Sequence, residues 1–361
     1  MSANLFTPIQ LGAYTLPNRI VMAPLTRCRA DANNAPHAIN VEYYRQRASA
    51  GLIISEGSQI TPSAVGYLGT PGIYSKAQIA GWQQVTDAVH DADGRIFLQL
   101  WHCGRVSHPS MLPAARLPVA PSSIRAEGHA HTMEGVQAFV TPHALTTSEI
   151  NNIITDFATA AQNALDAGFD GVEIHGANGY LIDQFIRDGS NQRTDEYGGS
   201  LANRARFLLA ITQAVVAVCG ADRVGVRLSP INPFNDMRDS NPQAIFDHIA
   251  SALSPFNLAY LHVTEWAGHD TSAPQPNFDF AQLRAAYQGT YMTNGGYTLN
   301  TANTAIGTGA ADLIAFGTLY IANPDLVERF AHNTPLNPAD GNTFYGGNEV
   351  GYTDYPFMTP V

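Results

Sequence analysis

Residues 171–185 read GVEIHGANGYLIDQF: an apolar, β-branched run, Gly171 to His175, that gives way to small and polar residues and then to helical periodicity. The same alternation recurs through the chain. Upstream lie Ile20 to Pro24 (IVMAP), Leu52 to Ser55 (LIIS) and Ile96 to Trp101 (IFLQLW). Downstream lie Val224 to Ser229 (VGVRLS), Ala259 to Thr264 (AYLHVT), Tyr291 to Thr293 (YMT) and Leu313 to Phe316 (LIAF). Helical patterns intervene, for example over Ile150 to Ala167 and Ala202 to Val218. Eight strand–helix alternations predict a closed (β/α)8 TIM barrel of the α/β class rather than an open sheet. The seventh run, YMT, is short and polar.

Residues 5–16 (LFTPIQLGAYTL) read as a hairpin ahead of the barrel that caps its bottom. The stretch 104–148 is too long for a plain βα loop and is rich in Pro, Ser and His, so it is expected as a subdomain inserted after the third strand, over the mouth. No repeat, low-complexity tract or linker divides the chain, and a single domain over residues 1–361 is expected. With 45% hydrophobic and 14% charged residues the chain can bury a large core. A formal charge of -11 disfavours nonspecific binding to nucleic acid or anionic lipid. Cys28, Cys103 and Cys219 form no CxxC pair, which fits a reducing compartment and gives neither a zinc site nor a disulfide framework. MSANLFTPIQ has no signal-peptide pattern, and no apolar stretch reads as long enough to span a bilayer, so a soluble cytoplasmic protein is expected. Monomer and homodimer fit the sequence equally.

In such barrels the chemistry sits at the C-terminal ends of the strands. Polar or small residues gather there: Thr26, Gly57, Gln99, Trp101 and His102, then His175, Asn178, Tyr180 and Arg227. The last two strands run into Gly295-Gly296 and Gly317-Thr318. Glycines after strands seven and eight are where barrels often bind phosphate, because bare backbone amides can approach it closely. Position alone therefore points to a phosphorylated cofactor, although loop glycines are also ordinary turn residues.

Taken together, these strand ends resemble the old yellow enzymes, in the branch containing N-ethylmaleimide reductase and pentaerythritol tetranitrate reductase. The resemblance is carried by MAPLTR (22–27), YYRQRASAGLIISEG (43–57), QLWHCGR (99–105), HGANGYLIDQF (175–185) and SNQRTDEYGGS (190–200). NRARF (203–207), RLSP (227–230), AFGTLYIANPDL (315–326) and GYTDYP (351–356) continue it to the C-terminus. It implies an FMN-dependent ene-reductase that takes hydride from NAD(P)H, with NADPH preferred, and delivers it to electron-poor alkenes.

The resemblance also implies roles. Pro24, Leu25, Thr26 and the backbone at Gly57 would grip FMN, with Thr26 on the flavin O4 and Gln99 on the pyrimidine edge. Arg227 would stand near N1 and O2, where a fixed cation stabilises the charge of reduced flavin. Gly295, Gly296, Gly317 and Thr318 would hold the phosphate. Ene-reduction needs donors on the activating oxygen and an acid for the carbon opposite the hydride. His175 and Asn178 resemble the donor pair and Tyr180 the acid, while Tyr67, Trp101 and Tyr345 resemble the aromatic walls of the substrate cleft. Each has a plainer alternative: Thr26 as a turn residue, Gln99 as an interior polar group, Arg227 as the partner of Glu173, and the aromatics as packing. One departure stands out: members often carry Arg immediately after the last strand's glycine, and here Gly317 is followed by Thr318.

Rival chemistries leave weaker traces. His129 and His131 form an HxH pair, but no carboxylate cluster completes a metal site, and no metal is expected. A binding scaffold without catalysis is disfavoured because every expected flavin and substrate position holds a competent residue. Dienoyl-CoA reductases share the barrel but append an iron–sulfur cluster, for which this chain has no cysteine cluster. The string GTGAAD (307–312) lacks the third glycine of a dinucleotide fingerprint, so nicotinamide and alkene are expected to use one cleft in turn.

Overall fold

The computed structural model describes residues 3–265 and 277–359. In chain order the strands are β1 (Ile9–Leu11), β2 (Tyr14–Leu16), β3 (Ile20–Met22), β4 (Leu52–Gln59) and β5 (Ile96–Trp101). They continue with β6 (Val119–Ala120), β7 (His129–Thr132), β8 (Gly135–Ala138), β9 (His143–Ala144), β10 (Gly171–His175) and β11 (Val224–Leu228). The last three are β12 (Tyr260–Thr264), β13 (Tyr291–Asn294) and β14 (Leu313–Phe316). Strands β3, β4, β5 and β10 to β14 form a closed parallel barrel, sealed where Ile314 pairs with Ile20 and Phe316 with Met22. All eight predicted strands are present. Even the polar YMT run is a true strand, because Tyr291, Met292 and Thr293 are buried between β12 and β14.

The hairpin β1–β2 plugs the lower end. Leu11 and Leu16 pack with Val21, Phe97, Tyr260, Met292 and Leu313 inside the barrel. The turn is fastened by the Ala13 amide, which donates to Asp222 O at 3.3 Å. Gly12 lies at φ +50°, and a Cβ there would stand 1.9 Å from Asp222 O, so only glycine serves.

Local signals start and stop the helices. Helix Thr147–Asp166 begins three residues before its periodicity predicts, because Thr146 and Glu149 close a capping box. Helix Leu201–Cys219 is capped by Ser200 and stops at Gly220, φ 81°. By length and composition this second helix could cross a bilayer, which corrects the sequence reading; here its Phe207, Leu208, Ile211 and Val215 are buried in the protein core instead.

Between β5 and helix Thr147–Asp166 the chain builds two small sheets, parallel β6–β9 and antiparallel β7–β8. The buried guanidinium of Arg105 ties this segment to the loop after β11, donating to Ile124 O at 3.2 Å, Asn235 O at 3.2 Å and Asp236 O at 3.0 Å.

Candidate active site

A cleft of about 920 Å³ opens at the C-terminal ends of the barrel strands. Pro24, Leu25, Thr26, Asn178, Arg227, Gly295, Gly296, Gly317, Thr318 and Tyr345 all line it. Tyr345 reaches the mouth because the first and last parts of the chain are laced together there. Arg27 Nε donates to Phe344 O at 2.9 Å and Nη2 to Gly351 O at 2.8 Å, while Arg29 donates to Thr343 O at 2.9 Å and Asn348 O at 2.9 Å. Tyr345 itself is 69% exposed.

Beneath the cleft, polar side chains fill the upper barrel. Gln99 Nε2 donates to Glu173 Oε1 at 2.8 Å, and the other carboxylate oxygen meets His262 Nδ1 at 2.9 Å. Burial pushes the Glu173 carboxyl up, but His262, Arg227 and the Gln99 hydrogen bond together hold it below its ordinary range. Glu173 is therefore spoken for, and the Arg227 guanidinium makes no hydrogen bond or ion pair to any described residue although the residue is only 7% exposed. Burial lowers its pKa and Glu173 opposes that, leaving a guanidinium charged at any physiological pH. The alternative reading of Arg227 as a partner of Glu173 is thus not what the structure builds.

His175 ends β10 in register with Arg227 on β11. Burial, reinforced by Arg227, holds its pKa well below the usual histidine range, so the ring is neutral, and Nδ1 has no partner among the described residues. The next residues form a tight turn into the short helix Leu181–Ile186. Asn178 sits at φ 59°, a left-handed conformation that asparagine tolerates, and its backbone N–H donates to Ser229 Oγ at 2.7 Å. The Gly179 amide donates to Asp183 Oδ2 at 2.9 Å, and a Cβ on Gly179 would stand 2.7 Å from Asn235, Met237 and Phe234.

Tyr180 follows, 7% exposed, with its hydroxyl 3.1 Å from that of Tyr67. Trp101 stacks on Tyr67 at 5.5 Å and meets Tyr180 edge-on at 5.0 Å, and His175 lies 5.1 Å from Tyr180. Burial, then Tyr67, pushes the Tyr180 phenol well up, so it keeps its proton. His175, Tyr180, Trp101 and Tyr67 thus form one aromatic cluster adjoining Asn178. These four residues, with Gln99 and Gly57, lie outside the lining of the cleft itself; Gly57 sits in β4, where a Cβ would stand 2.6 Å from the Trp101 ring.

A buried polar atom without a partner costs about 1–3 kcal/mol, so a cluster of them at one place marks a surface that a ligand completes. Arg227 Nε, His175 Nδ1, Thr264 Oγ1 and Asn294 Oδ1 are such atoms, all at the upper ends of β10 to β13. Past β13, Gly296 adopts φ +83° with open space where a Cβ would lie. A polar, anionic ligand of cofactor size fits these demands. A hollow of about 640 Å³ on the flank, lined by Phe280, Arg284, Tyr287 and Tyr291, contains none of the catalytic, substrate or cofactor-binding residues expected from sequence.

Residues 4–337 match the profile of the NADH:flavin oxidoreductase / NADH oxidase family. The chain belongs to that family. It is an NAD(P)H-dependent flavin oxidoreductase on an old yellow enzyme barrel. A probable flavin mononucleotide-dependent alkene reductase of Leishmania infantum is 46% identical, over 97% of this chain and 96% of its own. The solved structure of morphinone reductase in complex with tetrahydroNAD superposes with a TM-score of 0.93 at 47% identity, covering 99% and 98% of the two chains. That of the old yellow enzyme homologue from Zymomonas mobilis gives 0.95 at 44% identity, covering 99% and 100%.

Sequence reasoning missed His262, whose alternation with Tyr260 and Thr264 along β12 marks an inward-facing polar position. It also missed Asn232 and Asn235 in the loop after β11. His129 and His131 lie exposed on β7, and among the described residues no group of three or more His, Cys, Asp or Glu is placed to hold a metal.

Proposed function

We propose that this family member is an FMN-dependent ene-reductase that reduces the activated C=C bond of enones, maleimides, nitroalkenes and related electrophiles with NADPH in preference to NADH. The observation that carries the reading is a cleft lined by Asn178 and by Arg227, a buried cation without a side-chain partner among the described residues, with the neutral ring of His175 in register beside Arg227 and the protonated phenol of Tyr180 against that ring. FMN, held by these residues, would supply the redox chemistry, the transfer of hydride from reduced nicotinamide to the alkene.

The chain's residues do the rest. Arg227 holds negative charge in a site where burial amplifies each interaction. Gln99 keeps its carbonyl and one amide hydrogen free for the cofactor, its other hydrogen being given to Glu173. Pro24, Leu25 and Thr26 form one wall, Gly57 contributes from β4, and Gly295, Gly296, Gly317 and Thr318 receive the phosphate. His175 and Asn178 bind the substrate's activating oxygen and polarise it. Tyr180, kept protonated by burial, delivers its proton to the alkene carbon, and Tyr67, Trp101 and Tyr345 shape the cleft around the substrate. The whole chain acts as one FMN-binding domain, with residues 104–148 as the subdomain beside the mouth.

The test is an anaerobic titration of the yellow protein with NADPH, followed by a panel of electron-poor alkenes. Stoichiometric bleaching by NADPH and reoxidation by alkenes are expected. Bleaching without reoxidation by any alkene refutes the proposed substrate class.

A further inference from the structure

Asn178 is proposed above to present an N–H to the substrate's oxygen, but a primary amide can turn either end toward the cleft. The loop after β11 decides which. The backbone N–H of Phe234 can only donate, and it donates to Asn232 Oδ1 at 3.0 Å. That leaves the NH2 of Asn232 facing Asn178, where it donates to Oδ1 at 2.9 Å. The Asn178 oxygen is thereby occupied on the protein side, and its NH2, which donates to no described residue, is left for the cleft that both residues line. Asn235 Nδ2 secures the backbone of the same residue, donating to Asn178 O at 2.8 Å and supporting the left-handed turn. Asn232 is 2% exposed, so water does not compete for this chain of bonds.

We propose that Asn232 is a positioning residue that fixes the Asn178 amide with its NH2 toward the substrate. The inference rests on the reading that Asn178 meets the substrate's oxygen. Asn232→Asp reverses the relay: one carboxylate oxygen still accepts from Phe234, while the other faces Asn178 and can only accept. The Asn178 amide then turns over and offers its oxygen to the cleft. Asn232→Leu keeps the branching of the side chain and removes the instruction, leaving the amide free to take either orientation.

The experiment titrates the FMN-loaded protein and its variants with 4-hydroxybenzaldehyde, bound as the phenolate, and with 4-aminobenzaldehyde, which offers N–H donors, following the flavin absorbance. Asn232→Asp is expected to weaken the phenolate by about ten- to a hundredfold, the range for a lost hydrogen bond to a charged group. The amine should lose less or gain, so that the preference between the two ligands shifts toward the donor, which general damage to the loop does not produce. Asn232→Leu should show a smaller loss. In an Asn178→Ala background, Asn232→Asp should have no further effect. If Asn178→Ala weakens the phenolate and neither Asn232 variant does, the relay is wrong. Should Asn178→Ala itself leave phenolate binding unchanged, the role of Asn178 fails first and takes this inference with it. Loss of flavin from both Asn232 variants makes the residue structural and also overturns the proposal.

Discussion

Thr318→Arg should tighten FMN binding. Thr318 follows Gly317 at the end of β14, opens the short helix Thr318–Ala322 and lines the cleft near Gly295 and Gly296. Its side chain is exposed, whereas Tyr320 is buried on the other side of that helix, so a longer side chain meets no obstruction. A guanidinium–phosphate contact contributes about 1.5–3 kcal/mol when well formed. Exposure screens the charge and leaves the arginine more rotamers to lose, which reduces the gain to roughly 1–1.5 kcal/mol. At about 1.4 kcal/mol per decade, FMN affinity should rise about five- to tenfold. Quenching of FMN fluorescence by the two apoproteins measures this directly, and repeating it at higher salt should shrink the difference. The range of alkenes reduced should not change, because the substitution lies beside the phosphate and not the reacting ring. A folded variant with unchanged affinity at low salt would refute the placement of the phosphate after β13 and β14.

Three further outcomes are expected. Tyr180→Phe should slow reoxidation by alkene by about 10²- to 10⁴-fold while leaving flavin reduction by NADPH nearly unchanged, and equal slowing of both halves in stopped flow would remove Tyr180 as the acid. His175→Ala should raise the barrier to alkene reduction by about 2.7–4 kcal/mol, read as a drop in kcat/KM, since it deletes a donor to the developing oxyanion. His102→Gln should flatten the loss of stability on acidification. Burial holds His102 down to about 3 and its Nδ1 accepts from the Gly104 amide, so below its unfolded pKa the unfolded chain takes up a proton that the native state refuses. Stability therefore falls with pH from about 6.5 downward, and between there and pH 5 this one group accounts for about 2 kcal/mol, the difference that denaturant titrations of the two proteins should show.

The barrel was legible because its parallel strands are buried on both faces and most appear as short, mainly apolar runs; β14 (LIAF) is apolar throughout, and β10 (GVEIH) is broken only by Glu173 and the terminal His175. The strand-end residues were legible by position, since this fold turns C-terminal strand ends into its mouth. Three things escaped. The apolar helix Leu201–Cys219 reads the same whether its face meets lipid or a barrel, and only the packing of Phe207 and Ile211 distinguishes them. The partner of Glu173 escaped too: the alternative that paired it with Arg227 rested on adjacency of strands, but the carboxylate reaches past β11 to His262 on β12, a choice set by inward orientation rather than by neighbouring strands. Asn232 lies in a loop without periodicity, and its role depends on one backbone N–H, that of Phe234, which no pattern of side chains reveals.

Arg27, Arg29 and Arg47 lie in the early part of the chain, yet their buried guanidiniums give hydrogen bonds to carbonyls supplied by its far end. Arg47 donates to Tyr320 O at 3.0 Å and Ile321 O at 2.9 Å, and the other two hold the carbonyls around Thr343, Phe344 and Gly351. Strand β3 likewise waits for β14 before it gains its second neighbour. During synthesis, which runs from the N-terminus, the wall containing Pro24 to Thr26 is made among the first segments and completed among the last. Until β14 emerges the nascent protein keeps an open edge on β3, and until residues near 351 follow, Arg27 and Arg29 lack most of their native carbonyl acceptors, a state that invites chaperone binding. Cofactor capture is accordingly a late event in the life of each molecule, and cleavage of the segment around 343–352 would unfasten the mouth while leaving most barrel strands paired.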